Sequence, residues 1–448
     1  MRYFTAVNPV RVLVLSFLII IVIGTALLSL PFATTGGISL IDALYTATSA
    51  VCVTGLIVKN TQYDFTPFGK IVILLLIQIG GLGYMTITTI LILFFGRKAS
   101  IRDKFLIRES TGILTFKNFR HFLFDIAKVV LLFEGIGAVL LFFYLYPRFP
   151  LLSAIFHSIF HSVSAFCNAG FSSFSYNLAS FSQNFFLPLV VALLFISGGL
   201  GFLVWSDIYR TYFKRENFKL SLHSKIVLFT TSFLILFGTV LIFFLEGNSA
   251  LRGYSMGNKI LISFFHAVTP RTAGFNLVSL GSFSTATLIL VMILMFIGAS
   301  PGGTGGGIKT TTFFVSLLYP FAFLRNSLPG RVFKHRLKPI VTEKGIAVFM
   351  LSLFLIIFSG FLITLLEQGK DFVRIIFEIF SAFGTVGLSI GSKVRGDVSA
   401  SYDFSLWAKF IIVLVMFCGR VGVINILRLV IKEKRRHFEY PEEEISIG

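Results

Sequence analysis

Charge is scarce in this sequence, and acidic residues are scarcest. Only 13% of the 448 residues are charged, with 20 Asp or Glu in all, whereas 55% are hydrophobic. A typical soluble domain carries about 25% charged residues, so the composition excludes an ordinary soluble protein. It predicts a protein that crosses a membrane many times.

Cysteine is also rare. The chain contains Cys52, Cys167 and Cys418, an odd number with no CxxC spacing. Neither a disulfide framework nor a cysteine-bound metal cluster is predicted.

The motifs of common enzymes are missing as well. His157 and His161 have the spacing of two metal ligands, but Ser158 stands where the HExxH motif requires glutamate, so we expect packing residues. The run 300–312, SPGGTGGGIKTTT, resembles a phosphate-binding Walker A loop. However, Ile308 precedes Lys309 where that motif has glycine, and no strand leads into the run. We therefore predict no enzyme activity and no covalent cofactor.

The net charge of +19 is compatible with nucleic-acid binding only if the charge forms a binding surface. The basic residues instead lie in loops between apolar runs, and no pattern of base-stacking aromatic residues accompanies them. The position of the basic loops therefore indicates how the chain is oriented in the membrane. No nucleic-acid partner is predicted.

One segment occurs in four versions. Aligned on the last glycine, the versions read TSAVCVTG, SVSAFCNAG, HAVTPRTAG and IFSAFGTVG, and they end at Gly55, Gly170, Gly274 and Gly387. These glycines are 115, 104 and 113 residues apart, which is longer than a solenoid repeat and requires a whole structural unit. Four units with one loop each predict a ring.

Each unit has the same order of a long apolar run (M1), a short helix (P), the glycine loop and a second long run (M2). The M1 runs cover 12–31, 122–146, 226–245 and 346–366; the M2 runs cover 68–95, 185–209, 286 onward past Lys309, and 406–429. About 20 apolar residues span a membrane, whereas the short helices at 152–166, 259–268 and 372–383 cannot. In the first unit, Ser39 and Asp42 predict the start of the short helix.

The predicted fold class is an all-α membrane protein. Its four M1-P-M2 repeats have pseudo-fourfold symmetry around one central pore per protomer, with eight transmembrane helices and four re-entrant pore helices. We divide the chain into pore repeat 1 (1–96), a cytoplasmic loop (97–121), pore repeat 2 (122–213), pore repeat 3 (214–325), pore repeat 4 with its preceding cytoplasmic loop (326–432) and a cytoplasmic tail (433–448).

Basic clusters follow every unit, with Arg97, Arg210, Arg325 and Lys432 as their first members. By the positive-inside rule, these clusters and both termini lie on the cytoplasmic side of the cell membrane. The four glycine loops then enter from outside.

The GTVG run at 384–387 cannot continue a helix. In a membrane, irregular backbone lines water or is buried in protein. Carbonyl oxygens along such a run can replace the hydration shell of K⁺, and the C-terminal ends of four short helices would favour a cation on the same axis.

These units, glycines and motifs resemble the potassium-transporting membrane subunits of the Trk/Ktr/HKT superfamily, and the bacterial Ktr type in particular. The resemblance covers nearly the whole chain. It implies a K⁺ selectivity filter of backbone carbonyls from Cys52, Val53, Thr54 and Gly55; Cys167, Asn168, Ala169 and Gly170; Arg271, Thr272, Ala273 and Gly274; and Gly384, Thr385, Val386 and Gly387. It also implies a homodimer on a cytosolic ring of nucleotide-binding RCK subunits.

The run 300–312 lies where the third M2 run should be helical, yet it holds five glycines and a proline. The family resemblance implies that this run is an intramembrane loop that gates the pore. Arg420 lies within the fourth M2 run, where a cation normally faces a cavity. The predicted gate comprises Gly302, Gly303, Thr304, Gly305, Gly306, Gly307, Lys309 and Arg420. GGLG at 80–83 and 198–201 would allow close packing or a bend.

Only one loop reads GTVG, which predicts looser selectivity than in a channel with four identical loops. In plant relatives, serine at the first filter glycine accompanies sodium preference, so Gly55 favours potassium. Na⁺ dependence stays open, and the alternatives are a sodium-conducting member of the superfamily or a solute-coupled secondary transporter. Membrane lipids are further expected partners of the basic loops.

Arg271 adjoins the third glycine loop, where its side chain must point away from the path of a cation. Arg271 is expected to have a carboxylate partner, and the leading buried acids are Glu134 and Glu378.

Overall fold

A computed structural model of the chain describes residues 9–95, 119–213, 219–324 and 331–430. Most of the predicted loop 97–121 and all of the predicted tail 433–448 lie outside these ranges, as do Arg97, Arg325 and Lys432. The division into six segments stays a prediction.

The regular secondary structure of the described chain is almost entirely helical. Its helices in the first two units are α1 (Pro9–Leu28), α2 (Leu40–Val51), α3 (Pro67–Phe95), α4 (Phe119–Leu145), α5 (Leu151–Phe166), α6 (Phe186–Leu200) and α7 (Phe202–Ile208). In the last two units they are α8 (Leu222–Glu246), α9 (Met256–Val268), α10 (Thr285–Ile297), α11 (Thr310–Leu324), α12 (Pro339–Leu366), α13 (Phe372–Gly384), α14 (Leu406–Val421) and α15 (Val423–Val430).

The M1 runs fold as the single helices α1, α4, α8 and α12. Each is long and apolar enough to cross a membrane. Their outward faces expose large apolar side chains, such as Phe143 on α4 and Phe244 on α8 at 70% and 77% exposure. Such faces belong in lipid rather than water, as the composition predicts.

The short helices α2, α5, α9 and α13 begin at polar or proline residues. Ser39, as predicted, accepts a hydrogen bond from the backbone N–H of Asp42 at 3.2 Å, and Ser255 and Asp371 cap α9 and α13 in the same way. Helix α5 begins after Pro150. The four helices have 12 to 16 residues, too few to cross the membrane, and each ends at one of the four glycine loops.

The M2 runs predicted at 185–209 and 406–429 are each broken by a bend, one of the two possibilities that their glycines left open. The chain bends by 93° between α6 and α7 and by 100° between α14 and α15. Four glycines mark the equivalent breaks, all with positive φ: Gly83 (57°), Gly201 (92°), Gly298 (62°) and Gly422 (91°). Only glycine adopts these angles readily, so the GGLG motifs produce bends rather than packing surfaces alone.

A small hairpin is the exception to the all-α prediction. Strands β1 (Arg331–Val332) and β2 (His335–Arg336) pair antiparallel between α11 and α12. Phe333 and Lys334 at the turn have positive φ, as a two-residue hairpin turn requires.

Candidate functional site

The four glycine loops meet in a closed ring. A Cβ atom added to Gly55 would lie 3.0 Å from the Cα of Gly170, and one on Gly170 would lie 3.0 Å from the Cα of Gly274. A Cβ on Gly274 would collide with the carbonyl oxygen of Val386, and one on Gly387 would lie 2.8 Å from the Cα of Gly55. The backbones therefore approach closely enough that only glycine fits. We call residues 52–55, 167–170, 271–274 and 384–387 the ring loops.

The ring loops share an unusual backbone conformation. Each final glycine has φ between 70° and 92°, and the residue two positions earlier also has positive φ. Those earlier residues are Val53 (48°), Asn168 (58°), Thr272 (75°) and Thr385 (49°). A non-glycine residue in this region costs about 1–3 kcal/mol, and such strain is concentrated at functional sites. Because the residue between has negative φ, the alternation turns successive carbonyls toward one side of the chain.

The backbone N–H groups of the loops point away from the ring. Those of Thr54, Ala169 and Val386 donate to the carbonyls of Ser49, Ser164 and Ser381 at 2.7–2.9 Å. Ala273 donates to Thr269 at 2.9 Å. The short helices thus accept these hydrogen bonds from the loop N–H groups, and the bonds do not occupy the carbonyl oxygens of the ring loops.

Four hydroxyl residues at the ends of the short helices also hold the loops, and the sequence analysis missed them. Ser49 and Ser381 accept from the N–H groups of Gly55 and Gly387 at 3.0 and 3.1 Å. Ser164 and Thr269 donate to the carbonyls of Phe171 and Phe275 at 2.6 and 2.7 Å. The alignment contained the signal, because serine lies six residues before the final glycine in three of the four segments.

The four final glycines form the floor of a cavity of about 290 Å³, which we call the vestibule. Asn177 and Asp397 are among the other residues that line it. At its rim, Arg395 pairs with Asp64 at 2.9 Å and with Asp397 at 2.8 Å. Partial burial lowers the pKa of Arg395, but hydrogen bonds with both carboxylates and their charges outweigh it and raise the pKa above its ordinary value. These ion pairs link the first and fourth units at the rim of the vestibule.

A glycine-rich loop, residues 298–309, lies on the opposite side of the ring and takes the place of a helix between α10 and α11. The N–H of Gly306 donates to Thr385 Oγ1 at 3.0 Å, and Thr304 Oγ1 donates to the carbonyl of Phe166 at 3.1 Å. A Cβ on Gly305 would collide with the side chain of Thr272. The loop therefore packs directly against the starts of three ring loops.

Arg420 ties this loop to α3. Its guanidinium donates to the carbonyl of Thr304, to that of Gly80, and to that of Gly81 at 3.2 Å. Lys309 donates to the carbonyl of Gly305 at 2.6 Å, within the loop itself. Backbone carbonyls thus compensate both cations, and the predicted gate residues lie together.

Arg271 lacks the predicted carboxylate partner among the described residues. It is 7% exposed, its guanidinium donates to Thr231 Oγ1 at 3.1 Å, and its Nε has no partner in the described chain. The prediction of a carboxylate partner was wrong because α8, against which Arg271 packs, supplies a hydroxyl at this point. The buried acids Glu134 and Glu378 bind other groups.

Glu134 and Glu378 are both buried, as expected. Glu134 on α4 accepts from Gln78 Nε2 at 3.1 and 3.2 Å, behind Cys167 of the second ring loop. Glu378 on α13 accepts from the N–H and Oγ of Ser401 at 3.0 and 2.7 Å and from Ser389 Oγ at 2.8 Å. Each carboxylate joins a short helix or its loop to a neighbouring segment.

The substitution Glu378→Gln is expected to lower the thermal stability of the purified protein by several degrees. An amide replaces one acceptor oxygen with donors, which leaves a serine donor without a partner at a cost of about 1–3 kcal/mol. Thermal unfolding in detergent measures this effect. The exposed Glu343→Gln is the matched control and should leave the midpoint unchanged; equal midpoints for both variants would refute the assigned role.

His157 and His161 are packed as predicted. His161 bonds Ser172 Oγ at 2.9 Å and stacks on Phe174, and His157 bonds Ser173 Oγ at 2.6 Å. Both residues connect α5 with the chain that follows its ring loop.

The architecture has a counterpart among known structures. The crystal structure of the potassium transporter TrkH from Vibrio parahaemolyticus matches 96% of this chain and 86% of its own, with a TM-score of 0.76 and 17% sequence identity. The two proteins share a fold, and the class of protein is a polytopic helical membrane protein with a TrkH-like architecture.

Sequence comparisons give the family. The TrkH family, described as a cation transport protein, matches residues 3–440. "Ktr system potassium uptake protein B" of Bacillus subtilis is 39% identical, over 98% of this chain and 97% of its own. The Vibrio alginolyticus protein of that name is 37% identical, over 98% and 94%. "Potassium/sodium uptake protein NtpJ" of Enterococcus hirae is 36% identical, over 98% and 97%. The chain belongs to the TrkH family of cation transport proteins, an integral membrane family that transports ions rather than catalysing reactions, and the predicted resemblance is confirmed.

Proposed function

We propose that this chain is the K⁺-conducting membrane subunit of a potassium uptake system. The observation that carries the proposal is the closed ring of four glycine loops, whose N–H groups face the short helices and whose carbonyls remain for an ion. Backbone carbonyls in this arrangement can replace the water around K⁺. The names of the Bacillus and Vibrio relatives point to the same ion.

The proposal includes a pseudo-fourfold pore of eight spanning helices and four re-entrant helices. Equivalent features recur around the ring: the positive φ values in the loops and the four glycine breaks in M2. A glutamate–serine hydrogen bond also recurs in the third and fourth units. Glu246 accepts from the N–H of Ser284 at 2.9 Å, and Glu367 accepts from the N–H of Ser405 at 2.6 Å. Both pairs are 38 residues apart, as expected for repeats of one unit.

In this account the ring loops are the selectivity filter and the glycine-rich loop is the gate on its cytoplasmic side. The hydrogen bonds from Arg420 hold the gate to α3. The inside-negative membrane potential drives entry and supplies about 2.3 kcal/mol per charge per 100 mV.

Expression in a bacterial strain that lacks its own potassium uptake systems tests the proposal. Growth at low K⁺ should be rescued, and liposomes with the purified protein should take up K⁺ on an inside-negative potential without an organic solute. A requirement for such a solute would support the secondary transporter instead. Uptake of Na⁺ in place of K⁺ would support the sodium-conducting alternative, and the name of the Enterococcus relative makes both ions worth measuring.

The substitution Gly55→Ser is expected to relax the preference for K⁺ over Na⁺ by about tenfold, which corresponds to about 1.4 kcal/mol. Gly55 has φ of 88°, and a Cβ there would lie 2.5 Å from the carbonyl oxygen of Ala169. A serine must therefore displace that oxygen and distort the coordination of the ion. Competition between K⁺ and Na⁺ in uptake assays measures the preference, with the exposed Gly36→Ser as control; the same preference in Gly55→Ser and the parent would contradict this role.

We also propose that the subunit forms a homodimer with one pore per protomer and binds a cytosolic ring of nucleotide-binding RCK subunits. The names of the Ktr relatives, which describe a component of a system, support a regulatory partner. The positive-inside rule supports cytoplasmic termini in the cell membrane. Co-purification with a soluble RCK protein, and the mass of the complex, test both statements.

A further inference from the structure

One side chain in the vestibule donates hydrogen bonds to carbonyls of the ring. Asn177 follows the second ring loop, and its Nδ2 donates to the carbonyl oxygens of both Gly170 and Gly274 at 3.4 Å. It therefore joins the ends of the second and third ring loops with a single amide.

The orientation of this amide is fixed by its other partner. The backbone N–H of Asn276 donates to Asn177 Oδ1 at 3.4 Å, so the oxygen must face Asn276 and the two N–H bonds must face the carbonyls. The backbone of Asn177 supports the same placement. Its φ of 56° lies in the left-handed region, which asparagine tolerates better than most residues.

The outermost carbonyls of the ring are consequently unequal. The carbonyls of Gly170 and Gly274 each accept a hydrogen bond from the Asn177 amide. Among the described residues, no donor bonds to the carbonyls of Gly55 and Gly387. A carbonyl oxygen has two lone pairs, so the first two can still contact a cation, but with a weakened field.

We infer that Asn177 is an affinity-determining residue of the pore: it weakens the outermost cation site on the side of the second and third units. The inference rests on the proposed function. A filter must bind an ion well enough to admit it and weakly enough to release it. Asn177 keeps binding weak enough for release at the vestibule end of the pore, where K⁺ enters.

Asn177→Gly tests this inference without backbone strain, since glycine adopts φ near 56° readily. Loss of both donors should tighten the outermost site, so the KM for K⁺ uptake should fall by about threefold to tenfold, as expected for two neutral hydrogen bonds. The maximum rate should fall as well, because a tightly held ion leaves slowly. Asn177→Asp keeps the shape and the bond from Asn276 but cannot donate when ionised, and it should lower the KM further.

Asn276→Ala is the matched control. Asn276 also lines the vestibule, but its side chain donates to the carbonyl of Val278 and not to the ring, and its backbone N–H survives the substitution. Its KM should equal that of the parent.

The outcomes separate the two levels of the proposal. If Asn177 only holds two loops together, both Asn177 variants will raise the KM and lower the preference for K⁺ over Na⁺, and the inference fails while the proposed function stands. An unchanged KM overturns it equally. Absence of K⁺ uptake and of K⁺ binding by calorimetry in the parent protein overturns the proposed function and the inference with it.

Discussion

Replacing Gly387 with alanine is expected to abolish K⁺ uptake, with a loss of at least about a hundredfold. The φ of Gly387 is 92°, where alanine is strained, and its added Cβ would collide with the carbonyl oxygen of Thr54 and lie 2.8 Å from the Cα of Gly55. Both neighbours are backbone atoms of another ring loop, so no flexible side chain can move aside. The fourth loop must withdraw from the ring, and a coordination shell set by four loops loses one side.

Gly396→Ala provides the control for this experiment. Gly396 lines the same vestibule, yet a Cβ there would meet no atom within 4 Å. Uptake of radioactive Rb⁺ or K⁺ in the uptake-deficient strain, normalised to the amount of folded protein in the membrane, compares the two variants. Parental uptake by Gly387→Ala would show that the closeness of the ring loops has no part in conduction.

Arg420→Ala is expected to raise K⁺ flux by about tenfold to a hundredfold. The substitution removes charged hydrogen bonds to Thr304, Gly80 and Gly81, each worth about 1.5–3 kcal/mol, and these are the bonds that hold the glycine-rich loop between the ring and α3. Deletion of residues 305–307 should have the same effect, because it removes the part of the loop that packs against Thr272 and Thr385. The flux of K⁺ into liposomes that contain each purified variant measures both effects.

Deletion of Gly36 and Gly37 is the matched control for the shortened loop. These glycines lie in an exposed connection between α1 and α2, and a Cβ at either would meet no atom within 4 Å. Its flux should equal that of the parent. If Arg420→Ala and the 305–307 deletion both leave flux at the parental level, the glycine-rich loop is not a gate.

The order of the helices could be predicted from the sequence because a membrane-spanning helix requires a long run of apolar residues. The M1 helices, and helix starts such as the one at Ser39, could be predicted from the residues of each segment alone. The bends in M2 could not be read with the same certainty, since a glycine in an apolar run is compatible with a packed straight helix. Their positive φ values, as at Gly201, depend on contacts with another part of the chain, including the bond from Phe202 to the carbonyl of Gly302.

The candidate site was predictable where it is built from repeats. The ring glycines stand out because four copies can be aligned, and the glycine-rich loop stands out because no helix tolerates its composition. The bond from Arg271 to Thr231 and the bond from Asn177 to the third ring loop join residues that are far apart in the sequence, and each occurs once. No local pattern records such a contact, so only the folded chain reveals it.

A single polypeptide supplies every side of the ring, and this has an evolutionary consequence. In an assembly of identical subunits, one codon change alters all positions around the axis at once, so most changes at the entrance would be severe. Here a change such as one at Asn177 alters contacts with the second and third ring loops and makes no change in the sequence of the first and fourth. A single substitution can therefore alter part of the ring without altering all four loops at once.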